Sequence, residues 1–445
     1  MILHPRKRVM FLLACRNVIL NWRHSLATML AIAAGFSAVS LFDGFINDMN
    51  SEVRDRYMHR GMLGHVVIEK TGANNRLIED PWPYTLSSTE QRFIQSYASQ
   101  DKRVVASVNF LSFMGMVSNG RSNTVFLGLG YDVAEALKLR GERWKWDAVA
   151  GEPLYLFPGP VALLGSGLAR HLDCDLSEDL NLNLNKDGSL IAKKRPFSCP
   201  GPNVQLSVTT EQSQVNAMNL RVGGMVDIQL RELNDRFVVL PLKSAQQLMD
   251  TDRISRTAVL LTKDSDIDDF IEDFRFQAKT QNMELDAIPW LEHPIAATAK
   301  GGMEILSTFR NLFLSVVAVI AAMSVANTMM KSINERIREI GTLRSIGFRR
   351  SDIVLMFSAE GLFIGAFSCI AGLLVTVILS LLISHAGLTF KAGILSAALP
   401  VRISLALSTW LSSLFVLCLI TSGVSWVVSR KAARTVIAET MRHVA

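Results

Sequence analysis

The stretch NLFLSVVAVIAAMSVANTMM, residues 311–330, contains no charged side chain. An α-helix needs about 18 to 20 apolar residues to cross the hydrocarbon core of a bilayer, so this stretch is long enough to span a membrane. Three more uncharged runs of comparable length lie at residues 25–42, 361–384 and 403–429. The sequence therefore predicts four transmembrane helices.

The residues between the first two runs have a different composition. The whole chain is 49% hydrophobic and 19% charged, but residues 46–303 mix apolar side chains with many Asp, Asn, Lys and Arg. Alternating or apolar stretches predict strands there, and apolar residues recurring on one face predict helices. The predicted strands are 65–68, 104–108, 124–129, 180–184, 204–208, 225–230 and 258–262, and the predicted helices are 90–99, 244–249 and 267–280. We expect a membrane α-helical protein with a large mixed α/β domain inserted between helices 1 and 2.

These patterns set the predicted segment boundaries. The predicted segments are an amphipathic N-terminal helix on the cytoplasmic face (1–23), transmembrane helix 1 (24–45), the external α/β domain (46–303), transmembrane helix 2 (304–330), a cytoplasmic loop (331–352), transmembrane helix 3 (353–385), a short external loop (386–402), transmembrane helix 4 (403–429) and a cytoplasmic tail (430–445). Turn-rich sequences mark residues 151–230 as a candidate lobe inserted into the external domain. Helical spacing over 42–59 and 294–310 favours a stalk beyond the membrane over frayed helix ends.

The placement of basic residues predicts the orientation. Lys and Arg gather in residues 6–23, 331–352 and 430–445, whereas the 386–402 loop holds only two basic residues. Loops rich in Lys and Arg stay on the cytoplasmic side. We therefore expect a multi-pass protein of the bacterial inner membrane with both termini in the cytoplasm and the α/β domain in the periplasm. This topology explains the formal charge of +6, so we expect contact with membrane lipids and not with nucleic acid.

The N-terminal stretch has two interpretations. A basic start before an apolar run is also typical of a cleaved signal peptide. However, Arg16, Asn21, Trp22 and Arg23 interrupt the apolar sequence before residue 25. This pattern favours an amphipathic helix at the membrane surface, followed by a retained anchor.

Two of the five cysteines, Cys174 and Cys199, fall in the external domain. A disulfide between them would persist in an oxidising periplasm, but the sequence does not give their Cα separation, so the bridged and the free states both stay open. Cys15, Cys369 and Cys418 fall in membrane or cytoplasmic segments, where thiols usually remain reduced. No Cys/His spacing resembles a zinc site, and we expect no metal.

The sequence lacks the common motifs of catalytic sites. It contains no GxxxxGK[ST] phosphate loop, no HExxH and no GxSxG. Acidic pairs such as Asp268 and Asp269 come at the start of a predicted helix, where negative charge suits the helix dipole. We therefore expect no catalytic residue and no cofactor bound by this chain.

The stretch NERIREIGTLRSIGFRRSDI, residues 334–353, is the most distinctive part of the chain. It begins as a helix on which Glu335, Arg338 and Glu339 share one face. Gly341 and Gly347 are predicted to break it, and Ser351 or Asp352 to cap the next membrane helix. Such a charged helix suits docking to a soluble partner, but charge alone leaves a solvated linker equally open.

This stretch and the helix after it resemble the ABC transporter permeases of the MacB/FtsX type, including the lipoprotein-releasing LolC/LolE group. The pattern of that family is ER-x-x-EIG-x-LR-x-(I/L)G, followed by an apolar helix with an early Glu and several glycines. Here it is carried by Glu335, Arg336, Glu339, Ile340, Gly341, Leu343, Arg344, Gly347, Glu360, Gly361, Gly365 and Gly372. Further similarity lies in Arg16, Asn17 and Arg23 and in residues 64–68 and 164–169.

The resemblance implies partners and a mechanism. Such permeases form dimers with a second copy or a paralogue, and two copies of an ABC ATPase, which bind ATP and Mg²⁺, dock on the cytoplasmic loops, called coupling helices. Stalks carry the motion to the periplasmic domains, which export or extract a lipid, lipoprotein or other amphiphile, in some cases with a periplasmic adaptor or carrier protein. Because the phosphate loop is missing, we expect the ATPase to be a separate subunit.

The resemblance also indicates site residues. The residues expected to contact the ATPase are Glu335, Arg336, Glu339, Gly341, Arg344, Gly347 and Arg349. Glu360 falls inside the third predicted span, where an ionised carboxylate is costly and functional by default. The alternatives are that it reaches the interface or pairs with an arginine of the loop. Gly361 and Gly365 would let a neighbouring helix approach closely.

Two functions from different classes fit the resemblance. The first is a permease that moves an amphiphile. The second is a mechanotransmission subunit that transports nothing and uses ATP-driven stalk motion to activate a periplasmic cell-wall hydrolase, as FtsX does. The length of the external domain, residues 46–303, favours the first. A membrane-anchored sensor is disfavoured by the four spans and the coupling loop.

Overall fold

The computed structural model describes residues 5–20, 22–73, 82–176, 185, 187–228, 231–386, 388–390 and 399–440. The strand predicted at 180–184, the end of the strand predicted at 225–230, part of the 386–402 loop and the last residues of the tail lie outside these ranges.

The helices and strands are numbered in chain order. The helices of the described residues are α1 (Pro5–Leu20), α2 (Trp22–Asp55), α3 (Ser88–Gln100), α4 (Val133–Trp144), α5 (Ser166–His171), α6 (Arg231–Asn234), α7 (Leu242–Met249), α8 (Ile267–Thr280), α9 (Ala297–Glu335), α10 (Ile337–Ser345), α11 (Arg350–Ala386) and α12 (Leu407–Thr440). The strands are β1 (Val66–Lys70), β2 (Val104–Ser118), β3 (Asn123–Tyr131), β4 (Ala148–Gly151), β5 (Val161–Gly165), β6 (Asp175–Leu176), β7 (Phe197–Ser198), β8 (Asn203–Thr209), β9 (Val215–Val226), β10 (Phe237–Pro241), β11 (Arg256–Leu261), β12 (Leu285–Pro289), β13 (Thr389–Phe390) and β14 (Leu399–Pro400).

The chain forms two compact units. The membrane unit comprises Met1–Asn50, Met303–Leu388 and Val401–Ala445, and the α/β unit comprises Ser51–Gly302 and Thr389–Pro400. Among the described residues, four helical segments are long and apolar enough to cross a membrane, and each overlaps one predicted run. These segments are Ser25–Arg60, Pro294–Glu335, Arg350–Ala386 and Leu407–Lys431. The four-helix class predicted from the sequence is therefore confirmed.

Two of these helices continue well beyond their apolar runs. α2 extends to Asp55 and is followed by a π-helical turn, Arg56–Arg60. α9 starts at Ala297, directly after the 3₁₀ turn Pro294–Ala296. The stretches predicted as a stalk are thus ordered helix over most of their length.

Apolar side chains from four helices form the core of the membrane unit. Ile32 of α2, Val325 of α9, Ile364 of α11 and Leu417 of α12 belong to one buried cluster. Because lipid is as apolar as these side chains, close van der Waals packing holds such a cluster together, rather than the hydrophobic effect.

Two glycines of α11 set how closely α12 approaches. A Cβ atom at Gly361 would lie 1.9 Å from the Oγ atom of Ser425, and a Cβ atom at Gly365 would lie 2.3 Å from the Oγ1 atom of Thr421. Both distances are far below van der Waals contact. The close approach expected at these glycines is therefore made by α12.

The described strands of the α/β unit form a ten-stranded mixed sheet in the order β12-β1-β11-β2-β3-β10-β5-β9-β4, with β8 paired to β2 and β9. Pairing is parallel between β10 and β3 and between β5 and β9, and antiparallel elsewhere in this sheet. Helices α3 and α8 pack Ile94, Phe270 and Phe274 against Val66 and Val259 of the sheet. The predicted α/β class of this unit is confirmed.

Three strands of residues 151–230, β5, β8 and β9, belong to this main sheet, whereas β6 and β7 pair with each other in a separate two-stranded sheet. β5 lies within the segment and pairs with β10 outside it, and β8 pairs with β2 in the same way. These three strands are therefore continuous with the rest of the sheet, and the inserted lobe that the flanking turns indicate stays a prediction. Turn residues mark where a chain reverses, but they do not specify which strands pair afterwards.

The cysteine pair of the α/β unit is oxidised. Cys174, after α5, and Cys199, after β7, are joined by a disulfide. Of the two states that the sequence leaves open, the structure has the bridged one. Cys15, Cys369 and Cys418 of the membrane unit are free thiols.

Candidate functional site

The loop between α9 and α11 holds the short helix α10 between two breaks. At the first break, Arg336 leaves helical dihedral angles, with φ −107° and ψ 18°. At the second, Gly347 has φ +102°. The N–H of Phe348 donates to the carbonyl of Leu343 at 3.2 Å, and the N–H of Gly347 donates to the carbonyl of Arg344 at 3.1 Å. This is a Schellman cap, in which a left-handed residue, normally glycine, ends a helix.

Gly341 lies inside α10 and not at a break. Its neighbour Ile340 is only 3% exposed, and this packing keeps the helix intact at a residue that costs about 1 kcal/mol in a helix interior. The break predicted at Gly341 is therefore wrong, and the helix break falls at Arg336.

The start of α11 is fixed by one of the two predicted caps. The backbone N–H of Arg349 donates to the Oδ2 atom of Asp352 at 2.9 Å. This contact satisfies one of the N–H groups that have no partner within the helix. Asp352 rather than Ser351 therefore makes this contact.

α10 has a buried face and an exposed face. Ile340 packs in a buried cluster with Met10 of α1, Ile333 of α9 and Met356 and Phe357 of α11. The exposed side chains on and beside α10 include Glu335, Arg338, Glu339, Thr342, Ile346 and Arg349. The buried face fixes the orientation of the helix, so the exposed set has a defined geometry.

The predicted ATPase contacts divide between these faces. Glu335, Glu339, Gly347 and Arg349 are exposed, and Gly341 and Arg344 are partly buried. Arg336 points inward, and its side chain is 14% exposed.

Ile346 occupies the (I/L) position of the family pattern but is not among the predicted contact residues, and it is 71% exposed. The sequence feature that indicates this position is an apolar residue directly before the glycine cap in an otherwise charged loop.

Arg336 faces inward because it pairs with Glu360 of α11. The Nη1 atom of Arg336 donates to the Oε1 atom of Glu360 at 3.0 Å, and the Nδ2 atom of Asn17 in α1 donates to the same oxygen at 2.8 Å. The Glu360 side chain is 3% exposed. Of the roles open to Glu360, the structure shows the pairing with a loop arginine, together with a contact to Asn17 that the sequence does not predict.

The buried pair of Arg336 and Glu360 is stable only while both charges are present. Hydrogen bonds between ionised partners are roughly twice as strong as neutral ones, but a buried charge that loses its partner is strongly destabilising. Arg336 and Glu360 therefore depend on each other to remain buried.

A second buried carboxylate, Asp43, lies near the other end of the apolar run of α2. It is 5% exposed. Its nearest partners are Ser413 of α12, whose Oγ lies 3.5 Å from Oδ2, and Arg310 of α9, whose Nε lies 4.0 Å from Oδ1. The Oδ1 atom accepts no hydrogen bond. Asp43 is thus held much more loosely than Glu360.

Neutral contacts to the main chain surround Asp43. The Nε1 atom of Trp410 donates to the carbonyl of Ser40 at 2.9 Å, and the Oγ atom of Ser404 donates to the carbonyl of Gly44 at 3.0 Å. A Cβ atom at Gly44 would lie 2.6 Å from the carbonyl oxygen of Ser404. At this end of the bundle, the backbone of α2 and the backbone of the segment before α12 therefore lie close together.

In the described part of the chain, no group of three or more His, Cys, Asp or Glu side chains is arranged to hold a metal ion.

Two family models match the chain. Residues 311–437 match the FtsX-like permease C-terminal model, and residues 25–275 match the MacB-like periplasmic core domain. The second match alone covers more than half of the 445 residues. The protein is an ABC transporter permease of the MacB/FtsX type. Membership makes this MacB/FtsX-type permease a multi-pass inner-membrane protein whose α/β unit is the periplasmic domain.

Curated relatives match part of this MacB/FtsX-type permease. It is 24% identical to an uncharacterised ABC transporter permease of Methanocaldococcus jannaschii, over 41% of this chain and 45% of the relative. It is 28% identical to the macrolide export ATP-binding/permease protein MacB of Escherichia coli K12, over 34% of this chain and 21% of MacB. The matches thus span less than half of either relative.

Two solved structures are similar to about half of this chain. The extracellular domain of the noncanonic ABC-type transporter YknZ from Gram-positive bacteria aligns with 50% of this chain and 98% of that domain, with a TM-score of 0.32 and 11% identity. The periplasmic region of MacB from Actinobacillus actinomycetemcomitans aligns with 55% of this chain and 95% of that region, with a TM-score of 0.35 and 11% identity.

Proposed function

We propose that this permease couples ATP hydrolysis on a separate ABC ATPase to a conformational change of its periplasmic domain, and so exports or extracts a lipid, lipoprotein or other amphiphile. The observation that carries the proposal is α10, a short helix whose buried face is fixed and whose opposite face is exposed. In this proposal the α10 loop and both termini lie in the cytoplasm, as the basic residues beside the spans indicate.

The exposed face of α10 has the properties of a docking surface. Ile346 is 71% exposed, and an apolar side chain that enters a pocket of a partner can supply much of the binding energy. Glu335, Arg338, Glu339 and Arg349 add exposed charges of both signs on and beside α10. Such charges select a partner of complementary pattern more than they add affinity.

The complex that we propose has two permeases and two ATPases. The second permease is a copy of this chain or a paralogue, and ATP and Mg²⁺ bind to the ATPase subunits. Export of an amphiphile is carried over from the family, in which the relative MacB is named for macrolide export. A periplasmic adaptor or carrier would receive the substrate.

Co-purification tests the docking face. The full-length chain is purified in detergent together with the ABC ATPase encoded nearest to its gene. The test variant carries Glu339→Arg and Ile346→Arg, which invert one charge and place another at the apolar tip. The matched control is Val215→Arg, because Val215 is an apolar residue of β9 that is 79% exposed.

The expected result is a loss of bound ATPase of at least about tenfold in the test variant, which corresponds to about 1.4 kcal/mol. The control should retain the wild-type amount. Equal recovery of the ATPase with the test variant would show that α10 is not the docking face.

A further inference from the structure

We propose that Asn17, Arg336 and Glu360 form a positioning clamp that makes α1, α10 and α11 move together. This inference deepens the proposed function and rests on it, because the ATPase of that proposal is the source of the movement. The clamp residues transmit that movement, whereas the residues of the docking face contact the ATPase.

The clamp joins α1, α11 and Arg336, the residue directly before α10, at one atom. The Oε1 atom of Glu360 accepts from Asn17, 343 residues away in the chain, and from Arg336, 24 residues away. Both contacts are direct, at 2.8 Å and 3.0 Å. A displacement of Arg336 therefore acts on α11 through its carboxylate and on α1 through the shared oxygen.

The clamp matters because the backbone is non-helical at both ends of α10. Arg336 and Gly347 both lie outside helical geometry, and non-helical residues at the ends of an element are where hinges usually fall. Without side-chain contacts, α10 could rotate about these two residues. The restraints are the ion pair of Arg336 and the buried side chain of Ile340, which lies four residues later on the same helix face.

α1 is the third element that the clamp holds. Met10 and Ala14 pack into the same cluster as Ile340. On other faces of α1, Leu12 is 63% exposed and Leu20 is 65% exposed, as expected for a helix that lies in lipid. α1 is thus tied to α11 by apolar packing and to the clamp by Asn17.

The first test needs no ATPase. A spin label is attached to Ile346→Cys in the full-length chain, after Cys15, Cys369 and Cys418 have been replaced by alanine, and the protein is placed in lipid nanodiscs. Its mobility is compared between the parent and the isosteric variant Glu360→Gln, which leaves Arg336 without a counter-charge. We expect the label to become more mobile, with a rotational correlation time on the nanosecond scale shortened at least about twofold.

Two further variants separate the clamp from a general loss of structure. Arg336→Glu combined with Glu360→Arg keeps an ion pair, and Asn17 can accept a hydrogen bond through its amide oxygen as well as donate one. This exchange should restore most of the parent's mobility. Arg350→Gln removes an exposed arginine at the start of α11 and should leave the label unchanged.

The second test measures transmission. In the complex with the ABC ATPase encoded nearest to the gene, Glu360→Gln should keep the ATPase bound but lower the ATP turnover that the permease stimulates by about tenfold, and the charge exchange should recover it.

If label mobility is the same in the parent and in Glu360→Gln, the clamp is refuted, whether or not an ATPase binds. If no ATPase binds the wild type, the proposed function fails, while the mobility comparison still decides the clamp. Unchanged turnover in a complex that does form would also overturn the transmitting role.

Discussion

The two buried carboxylates of the membrane unit differ in how they are held. Glu360 is 2% exposed and receives hydrogen bonds of 2.8 Å and 3.0 Å on one oxygen. Asp43 is 5% exposed, but its nearest partners lie at 3.5 Å and 4.0 Å. Burial alone therefore does not define the role of an acid in a membrane protein; the geometry of its partners does.

The two ends of the bundle are consequently held by different forces. Near Glu360, an ion pair with Arg336 ties α11 to the loop, and a hydrogen bond from Asn17 ties it to α1. Near Asp43, neutral donors of Trp410 and Ser404 bind the carbonyls of Ser40 and Gly44. Charge should dominate the stability of the first end, and steric fit the stability of the second.

The largest effect is expected from Glu360→Ala. It leaves Arg336 as a buried charge without its partner, which costs about 3–5 kcal/mol. Unfolding of the full-length protein by heat or denaturant in detergent measures the loss. Ser358→Ala is the matched control, because Ser358 is also buried on α11 but bonds only to the carbonyl of Val354 in its own helix. If both variants lose the same stability, the ion pair does not stabilise this end.

A smaller effect is expected from Gly44→Ala. Its Cβ would lie 2.6 Å from both Ser404 O and Ile403 Cγ2, and such overpacking costs about 1–3 kcal/mol. The same unfolding assay applies. Gly423→Ala on α12 is the control, since a Cβ at Gly423 would meet no atom within 4 Å. If Gly44→Ala loses no stability relative to Gly423→Ala, close backbone approach does not hold this end together.

Trp410→Phe should cost about 1–2 kcal/mol, because it removes one neutral hydrogen bond to the carbonyl of Ser40 and three buried ring atoms. Trp426→Phe provides the comparison, since Trp426 is 46% exposed. The midpoint of thermal unfolding of the two variants, measured side by side, gives the difference. A cost at Trp410 as large as that of Glu360→Ala would remove the distinction between the two ends.

The smallest effect is expected from Asp43→Asn. The carboxylate accepts only one long hydrogen bond, and Arg310 is 37% exposed and can remain hydrated. An amide of the same shape loses little here, because the buried carboxylate has only one long hydrogen bond to give up, so the expected cost is about 1 kcal/mol or less. The informative measurement is a direct comparison with Glu360→Gln, which should lose more stability. The reverse order would show that Asp43 is the more important acid.

The sequence predicts the membrane helices and the α/β class because both follow from local pattern. Uncharged runs such as 311–330 have no other stable environment than a bilayer or a buried core. The pairings of β5 with β10 and of β8 with β2 involve residues far apart in the chain, and turn-rich sequence carries no information on them.

The site could be predicted only in part. The family pattern locates the loop, but it does not separate the residues of α10 that face outward from those that face inward. The spacing of Arg336 and Ile340, four residues apart with one of them apolar, was a usable signal that both lie on the buried face. The contact between Asn17 and Glu360 joins positions 343 residues apart and depends on how α1 packs against α11, which no local pattern encodes.

The disulfide between Cys174 and Cys199 bears on the biosynthesis of the protein. Its two ends are 25 residues apart, so it can close only after that segment has left the reducing cytoplasm during membrane insertion. Protein that fails to insert would accumulate as a dithiol, chemically distinct from the mature chain. Alkylation of free thiols followed by mass measurement would therefore count inserted and uninserted molecules in one sample.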